Sequence, residues 1–157
     1  MIAIMIRIKS SRFPLAGVWW NAAAEDLPMI PDPFRLVVRQ VRTDRGMVTD
    51  IAVGRQLKVI SEVLTGCESI IVATDAGREG ELIFRWIYSY LGCTKPFKRL
   101  WISSLTDEAI REGMASLKEG TGYDSLYAAA DSRAKADWLV GMNASRALAA
   151  SSDCKMR

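Results

Sequence analysis

The spacing of hydrophobic and polar positions changes several times along the chain, and it predicts strands that alternate with helices. The stretch "RLVVRQV", Arg35–Val41, alternates enough to predict a strand. A helical pattern then runs from about Asp50 to Leu64 and ends at Gly66. The continuous apolar run "SIIVATD", Ser69–Asp75, predicts a strand that is covered on both faces, as strands of parallel sheets are.

The same alternation continues through the second half of the chain. A helix is predicted over Glu79–Leu91, and the segment "FKRLWIS", Phe97–Ser103, predicts another strand. Thr106 is a suitable N-cap for a helix over Asp107–Lys118. From Tyr123 onwards the pattern is helical, with one interruption by a glycine. Strands alternating with helices indicate an α/β fold with a mainly parallel sheet flanked by helices, in which ligands bind beyond the carboxyl ends of the strands.

Composition is that of one globular domain. The chain has 157 residues, of which 50% are hydrophobic and 25% charged. We expect a divergent segment and proline-rich connector over residues 1–34, a core with an exit helix over 35–148, and a tail over 149–157. No apolar run approaches the roughly 20 residues of a membrane span, and the N-terminus lacks the order of regions found in a secretory signal. A cytoplasmic protein without a membrane partner is therefore expected.

Several kinds of chemistry are excluded by residue type. The chain has no histidine, which excludes catalytic triads and histidine-bound metals. The three cysteines are scattered and form no Cys-x-x-Cys pair, which argues against a disulfide framework or a zinc site. The net charge of +3 is modest, but basic residues cluster between Arg35 and Lys58 and again at Lys95, Lys98 and Arg99. These clusters permit an anionic partner without requiring one.

The turn after the apolar strand carries the most informative residues. In "TDAGREGE", Thr74–Glu81, the acids Asp75, Glu79 and Glu81 surround Arg78. Acids at a helix N-terminus often only complement the helix dipole, and for any single acid this is the simpler interpretation. It accounts less well for the arginine and for carboxylates on both sides of the turn. Converging carboxylates repel one another unless a cation neutralises them, and Mg²⁺ pairs a few carboxylates with a phosphate.

Longer stretches around this turn resemble a known family. The segment "ATDAGREGELIFRWI" resembles the acidic motif of the Toprim domain of type IA DNA topoisomerases, and it is most similar to the topoisomerase III group. The later segments "RLWISSLTDEAIREGMASLKEG" and "YDSLYAAADSRAKADWLVGMNASRAL" resemble the units that follow in that family. The resemblance covers roughly residues 19–148. It implies a Toprim-like, Rossmann-type fold.

The resemblance also implies roles for individual residues. Asp75 and Glu79 match the first and last members of the family's Asp-x-Asp-x-Glu triplet, which implies catalytic residues that bind Mg²⁺, with Glu81 as a further ligand. Gly77 stands where many members have the second Asp, so metal binding is expected to be weaker or to depend more on other groups.

Three further residues are assigned to DNA by the same resemblance. Arg133 and Asp137 match an Arg and an Asp near the family's active site, which implies that Arg133 is a catalytic residue that contacts a phosphate or is held by Asp137. Arg78 lies within the acidic motif. Without the resemblance, Arg133 and Asp137 are an i,i+4 helix pair worth only ~0.3–0.5 kcal/mol.

The activity implied is transient, Mg²⁺-dependent cleavage and rejoining of DNA, preferably single-stranded. The family begins with a strand that leads to a Glu-Lys-Pro-Ser motif, a second strand carrying Gly-His-Leu comes after it, and the nucleophilic tyrosine lies in a later domain. This sequence contains none of the three. We therefore expect an N-terminally incomplete fragment that is inactive alone. Two alternatives stay open: a non-catalytic nucleic-acid-binding Toprim remnant, and another Toprim enzyme such as a primase or nuclease.

Overall fold

The computed structural model describes residues 6–10, 27–44 and 46–155. Its elements are the strands β1 (Ile6–Ser10), β2 (Phe34–Val38), β3 (Gln40–Thr43), β4 (Gly46–Thr49), β5 (Ile70–Val72), β6 (Phe97–Arg99) and β7 (Lys118–Glu119), and the helices α1 (Ile51–Gly66), α2 (Arg78–Tyr90), α3 (Asp107–Ala115) and α4 (Asp124–Lys155). Strands and helices alternate from α1 to α3, which confirms the predicted α/β class.

The first of two compact units contains Ile51–Ser132. Strands β5 and β6 pair in parallel, with Ile70 opposite Phe97 and Val72 opposite Arg99, and α2 connects them. This is the β-α-β crossover of a Rossmann-type fold. Strand β7 then joins β6 in the antiparallel sense, so this three-stranded sheet has the order β5-β6-β7. Within the described residues the sheet is smaller and more mixed than the sequence pattern suggests.

The helices of this unit begin and end close to the predicted residues for local reasons. The Thr106 side chain accepts a hydrogen bond from the Ala109 amide at 3.4 Å, as an N-cap does. Gly92 follows α2 with a φ of 62°, the left-handed conformation that ends many helices. Helix α3 stops at Ala115, three residues before the predicted end, because Lys118 pairs with Arg99 in the sheet.

The core of the first unit is formed by residues of α1, β5, α2 and α4 and by the residue that follows β6. Its buried apolar side chains are Val53, Leu57, Val72, Leu82, Leu100 and Ala130. Ile71, in the middle of β5, is 47% exposed although the apolar run predicted cover on both faces. Side chains that alternate along a strand point to opposite faces of the sheet, so the face of β5 that carries Ile71 is open to solvent, whereas the face that carries Val72 is covered.

The second unit contains residues 7–10, 27–44, 46–50 and 133–155 among those described. The predicted strand over Arg35–Val41 is divided at Arg39 into β2 and β3. The Arg39 carbonyl accepts the Asp50 amide at 3.0 Å, and β3 pairs with β4 in an antiparallel hairpin whose ends are Gln40 and Thr49. A separate two-stranded sheet joins β1 and β2.

The proline-rich connector contacts α4 through hydrogen bonds and aromatic packing. The Met29 amide donates to Asn143 Oδ1 at 2.6 Å, and Asn143 Nδ2 donates back to the Met29 carbonyl at 3.0 Å. A single amide thus satisfies both main-chain groups of Met29, whose side chain is buried. Phe34 packs edge-on against Trp138 with ring centroids 5.7 Å apart.

Helix α4 is continuous from Asp124 to Lys155, so the predicted interruption at Gly141 is wrong. A lone glycine inside a helix is tolerated at a cost of about 1 kcal/mol. Neither α4 nor any other helix in the described ranges is both long and apolar enough to cross a membrane.

The division into two units falls at residues 50/51 and 132/133, away from the boundaries predicted at 34/35 and 148/149. The one-domain organisation over residues 1–157 stays a prediction.

Candidate functional site

The turn Thr74–Gly80 lies at the carboxyl end of β5, where α/β folds place their ligands. It borders a cavity of about 670 Å³, which is also lined by the segment that follows β6, including Trp101, Ser103 and Ser104. The cavity therefore opens at the carboxyl ends of both parallel strands, and Asp75 is one of its lining residues.

The turn is folded tightly against the first turn of α2. A Cβ atom on Gly80 would lie 2.1 Å from the Asp75 carbonyl oxygen, so only glycine allows this approach. The Thr74 hydroxyl donates to the Gly80 carbonyl at 2.8 Å, and the Glu81 amide donates to the Gly77 carbonyl at 3.1 Å. Gly77 differs from Gly80, because its backbone is extended and a Cβ there would meet nothing within 4 Å.

Asp75, Arg78 and Glu79 are exposed on the solvent side of the turn. Within the described ranges, neither carboxylate has a hydrogen bond or an ion pair. The N-cap residue of α2 is Gly77, and no side chain caps the helix there. The interpretation of these acids as side-chain caps is therefore not supported, although Glu79 lies where it can complement the helix dipole.

Glu81 lies on the opposite, buried side of the turn, with no exposed surface. Its Oε2 accepts from Arg99 Nε at 2.9 Å, and its Oε1 accepts from Arg85 Nε at 2.8 Å. A buried carboxylate is tolerated when it is paired and hydrogen-bonded in this way. Because both oxygens are already engaged, this geometry argues against the ligand role predicted for Glu81, which stays untested.

Arg99 is fully buried and was missed as a site residue by the sequence analysis. Its guanidinium donates to the carbonyls of Val72, Thr74 and Asp75 at 3.0, 2.8 and 2.7 Å. In the sequence it belongs to a basic cluster with Lys95 and Lys98. One signal pointed the other way: the alternation of a strand places Arg99 on the same face as Phe97.

The two lysines of that basic cluster also have partners within the protein. Lys98 pairs with Glu119 at 3.3 Å, and Lys95 Nζ binds the carbonyls of Thr65 and Cys67. The basic cluster at residues 95–99 is therefore not a continuous cationic surface.

Arg85 completes the buried network. It donates to the Gly120 carbonyl at 2.9 Å and to Asp124 at 2.6 Å, in addition to Glu81. Burial by itself lowers the pKa of Arg85, but the hydrogen bonds and charges of Glu81 and Asp124 outweigh burial and raise the pKa overall. The arginine is thus held as a cation.

Arg133 and Asp137 lie in the second unit, whereas the acidic turn lies in the first. Their closest charged atoms are 3.7 Å apart, and their side chains are 59% and 73% exposed. An exposed pair of this kind contributes at most about 1 kcal/mol to stability. This geometry is compatible with both the phosphate-binding and the simple helix-pair interpretation.

Aromatic residues near the cavity are engaged in packing. Trp101 stacks on Tyr123 at a centroid distance of 4.7 Å, and the Arg99 guanidinium lies 5.2 Å from the Trp101 ring centre.

The Tyr88 hydroxyl donates to the Lys95 carbonyl at 2.8 Å, and burial raises the Tyr88 pKa. A raised pKa is the opposite of what activates a tyrosine as a nucleophile.

The donor chemistry of the turn suits a hard cation in part. Asp75 and Glu79 offer carboxylate oxygens, the ligands that Mg²⁺ prefers, and Mg²⁺ commonly keeps water and a substrate phosphate in the rest of its shell. Within residues 6–10, 27–44 and 46–155, no group of three or more histidine, cysteine, aspartate or glutamate side chains could hold a metal ion. Among the described residues, the turn therefore supplies two candidate ligands, Asp75 and Glu79, rather than a complete set.

Fold and site together define an α/β domain with a carboxylate-bearing turn at the edge of a parallel strand pair. No protein-family model matches the chain. Among curated proteins, the chain is 48% identical over 132 residues to "DNA topoisomerase 3" of Bacillus anthracis, a match that covers 82% of this chain and 16% of that protein. It is also 48% identical over 126 residues to the proteins of the same name from Bacillus subtilis (strain 168) and Bacillus licheniformis, covering 79% of this chain and 16% of each relative.

These matches confirm the resemblance to the topoisomerase III group. The chain is similar, over most of its own length, to one segment of DNA topoisomerase 3. It spans about one sixth of the length of these relatives.

Proposed function

We propose that this chain is a Toprim domain of a type IA, topoisomerase III-like enzyme, an isomerase that transiently cleaves and rejoins single-stranded DNA in the cytoplasm. The observation that carries the proposal is 48% identity to DNA topoisomerase 3 over 82% of the chain. A match of 132 residues in a chain of 157 necessarily includes the acidic turn. That turn lies at the carboxyl edge of the strands, where such a fold binds its ligands.

In this proposal the exposed side of the turn binds the cation. Asp75 and Glu79 would hold Mg²⁺, an ion that commonly relies on water and a substrate phosphate for its other ligands. When bound, the ion supplies positive charge that offsets the negative charge on a reacting phosphate. Arg78 and Arg133 contact phosphate oxygens, and Asp137 orients Arg133.

Strand cleavage in this scheme requires a tyrosine that the family carries in another domain. Its hydroxyl attacks the phosphorus, forming a phosphotyrosyl bond while the bond to the leaving sugar oxygen breaks and that oxygen takes a proton. Rejoining is the reverse: the sugar hydroxyl attacks and releases the tyrosine. The part assigned to this chain is to position and neutralise the phosphate, the electrostatic contribution that dominates phosphoryl transfer.

Thermal unfolding with and without Mg²⁺ tests the metal-binding part of this proposal. A ligand stabilises a protein only by binding the folded state, so millimolar-range Mg²⁺ should raise the melting temperature of the wild type. Asp75→Asn should remove that rise. Asp107→Asn is the matched control, because Asp107 is an exposed acid in the first turn of another helix, α3. Equal Mg²⁺ shifts in wild type and Asp75→Asn contradict the assignment.

A second candidate function is non-catalytic binding of nucleic acid. It is favoured by Gly77 in place of a carboxylate and by the incomplete ligand set of the described residues. Titrating a labelled single-stranded oligonucleotide at two salt concentrations, with Mg²⁺ and with a chelator, measures the DNA affinity that distinguishes the two candidate functions. Phosphate contacts predict a log–log salt slope of about −0.7 per contact. Affinity that requires Mg²⁺ and Asp75 supports the topoisomerase role, whereas affinity indifferent to both supports the binding domain.

A further inference from the structure

We propose that Arg99 is a positioning residue for the acidic turn. Its buried guanidinium holds the main chain of Thr74 and Asp75, and thereby the Asp75 side chain, in place. The proposal rests on the proposed function for the role of Asp75 in metal binding. The positioning itself rests on geometry alone. Arg99 has no exposed surface, so the residue itself does not contact substrate.

Each nitrogen of the guanidinium has a distinct partner around the turn. Nε donates to Glu81 Oε2 at 2.9 Å, Nη1 to the carbonyls of Val72 and Thr74 at 3.0 and 2.8 Å, and Nη2 to the Asp75 carbonyl at 2.7 Å. The last residue of β5, the two residues at the start of the turn and the first turn of α2 are therefore held by one rigid planar group.

The three carbonyls explain why this group is an arginine. The Val72 carbonyl also accepts the Leu100 amide at 2.9 Å, whereas the Thr74 and Asp75 carbonyls lie where the main chain leaves the sheet and are partly buried beside Arg99. A carbonyl that loses its hydrogen-bond donor away from water is costly. A guanidinium offers five donors in a fixed fork, whereas a lysine ammonium offers three donors on a flexible stem. Lysine at position 99 would retain the charge beside Glu81 but lose the fork that spans the turn.

Arg85 provides an internal comparison. It binds the other oxygen of the same carboxylate, and its remaining hydrogen bonds go to Gly120 and Asp124, away from the turn. Both arginines therefore contribute to the buried charge network, but only Arg99 contacts the main chain of residues 74 and 75. A purely structural role predicts similar effects for the two arginines, whereas a positioning role predicts a difference confined to the turn.

The first experiment compares Arg99→Lys with Arg85→Lys in the full chain by amide hydrogen exchange. We expect Arg99→Lys to accelerate exchange at residues 75–80 by about tenfold or more relative to Arg85→Lys, because a local opening becomes easier there. Mn²⁺ binding, followed by its electron paramagnetic resonance signal, should weaken about 10–100-fold in Arg99→Lys, as is typical when a residue that orients a metal ligand is replaced. Equal exchange at the turn in both variants overturns the proposal.

The second experiment uses the wild type, so that it does not depend on a variant folding. Mg²⁺ is titrated while the Nε–H resonances of Arg99 and Arg85 and the Asp75 carboxyl resonance are followed by nuclear magnetic resonance. We expect the Arg99 signal to move with that of Asp75, and the Arg85 signal to move much less. Movement of Asp75 with equal responses from both arginines overturns the positioning role. If the Asp75 signal does not respond to Mg²⁺, the proposed metal site is contradicted instead, and the hydrogen-exchange comparison of the two variants decides the positioning role. If Arg99→Lys does not fold, that role is decided in the wild type. There we expect the Nη protons of Arg99 to exchange more slowly than those of Arg85, and equal exchange overturns the proposal.

Discussion

The acidic turn has two sides that differ in almost every physical property. We call Gly80, Glu81 and Arg99 the anchored side, and Asp75, Gly77, Arg78 and Glu79 the open side. The charged groups of the anchored side are fully buried and hydrogen-bonded, and its glycine touches main chain. On the open side the charged residues are exposed, and its glycine has empty space around it.

This difference shows that one short motif of acids, arginine and glycines performs two tasks. A carboxylate that is buried between two guanidinium groups contributes to the fold, because its oxygens are committed to those partners. A carboxylate that is exposed at the end of a strand keeps its oxygens available to a cation. Glu79 and Glu81 are the same residue type and lie only two positions apart, so residue type does not distinguish their roles. The difference is that Glu79 is exposed and Glu81 is buried.

The largest effect is expected from Glu81→Ala, which leaves Arg99 and Arg85 without their shared carboxylate. Removing one partner of a buried ion pair costs about 3–5 kcal/mol, so the denaturant midpoint should fall sharply. Glu79→Ala is the control on the open side and should change the free energy of unfolding by no more than about 0.5 kcal/mol. Similar losses for both variants contradict the division of the turn into two sides.

Gly80→Ala should have the next largest effect. Its Cβ would lie 2.1 Å from the Asp75 carbonyl, and relieving such overpacking costs about 1–3 kcal/mol. Gly77→Ser is the comparison in the same turn, since the extended backbone accepts a side chain and serine can cap α2 with a gain of a few tenths of a kcal/mol. Chemical denaturation of both variants should give changes of opposite sign. If Gly80→Ala is as stable as the wild type, the anchored side does not depend on the close approach of Gly80 to Asp75.

Gly77→Asp sharpens the comparison by adding a carboxylate to the open side. Nothing lies within 4 Å of the position that its Cβ would take, so the fold should be unaffected. A third oxygen ligand should tighten Mg²⁺ binding about tenfold, equivalent to about 1.4 kcal/mol. Isothermal titration calorimetry measures this, with Gly77→Asn as the uncharged control. If the two variants bind Mg²⁺ equally, the open side is not the metal site.

The smallest effect on stability is expected for Arg133→Ala. The Arg133–Asp137 pair is exposed, so the free energy of unfolding should fall by no more than about 0.5 kcal/mol. If Arg133 contacts a phosphate, the log–log salt slope for single-stranded DNA should nevertheless become shallower by about 0.7. Arg111→Ala serves as the control, because Arg111 is an exposed helical arginine in the other unit. An unchanged slope supports the simple helix pair.

Predictions from the sequence succeeded where neighbouring residues decide the structure. Helices α1, α2 and α3 begin within a residue of their expected positions, and Thr106 caps α3. Predictions were less accurate where distant pairing intervened. The strand predicted over Arg35–Val41 is divided by the pairing of β3 with β4, and α3 is shortened by the pairing of β7 with β6.

The sequence by itself determined the α/β class, the place of the acidic turn after an apolar strand, and the resemblance to topoisomerase III, because periodicity, capping and motif order are local properties. Only the tertiary structure decided which charges are buried. Arg99 reaches Asp75 across 24 positions of sequence, and Met29 meets Asn143 across 114. Contacts over such separations depend on how the strands and helices pack, and burial then determines whether a charge anchors the fold or stays open to a ligand.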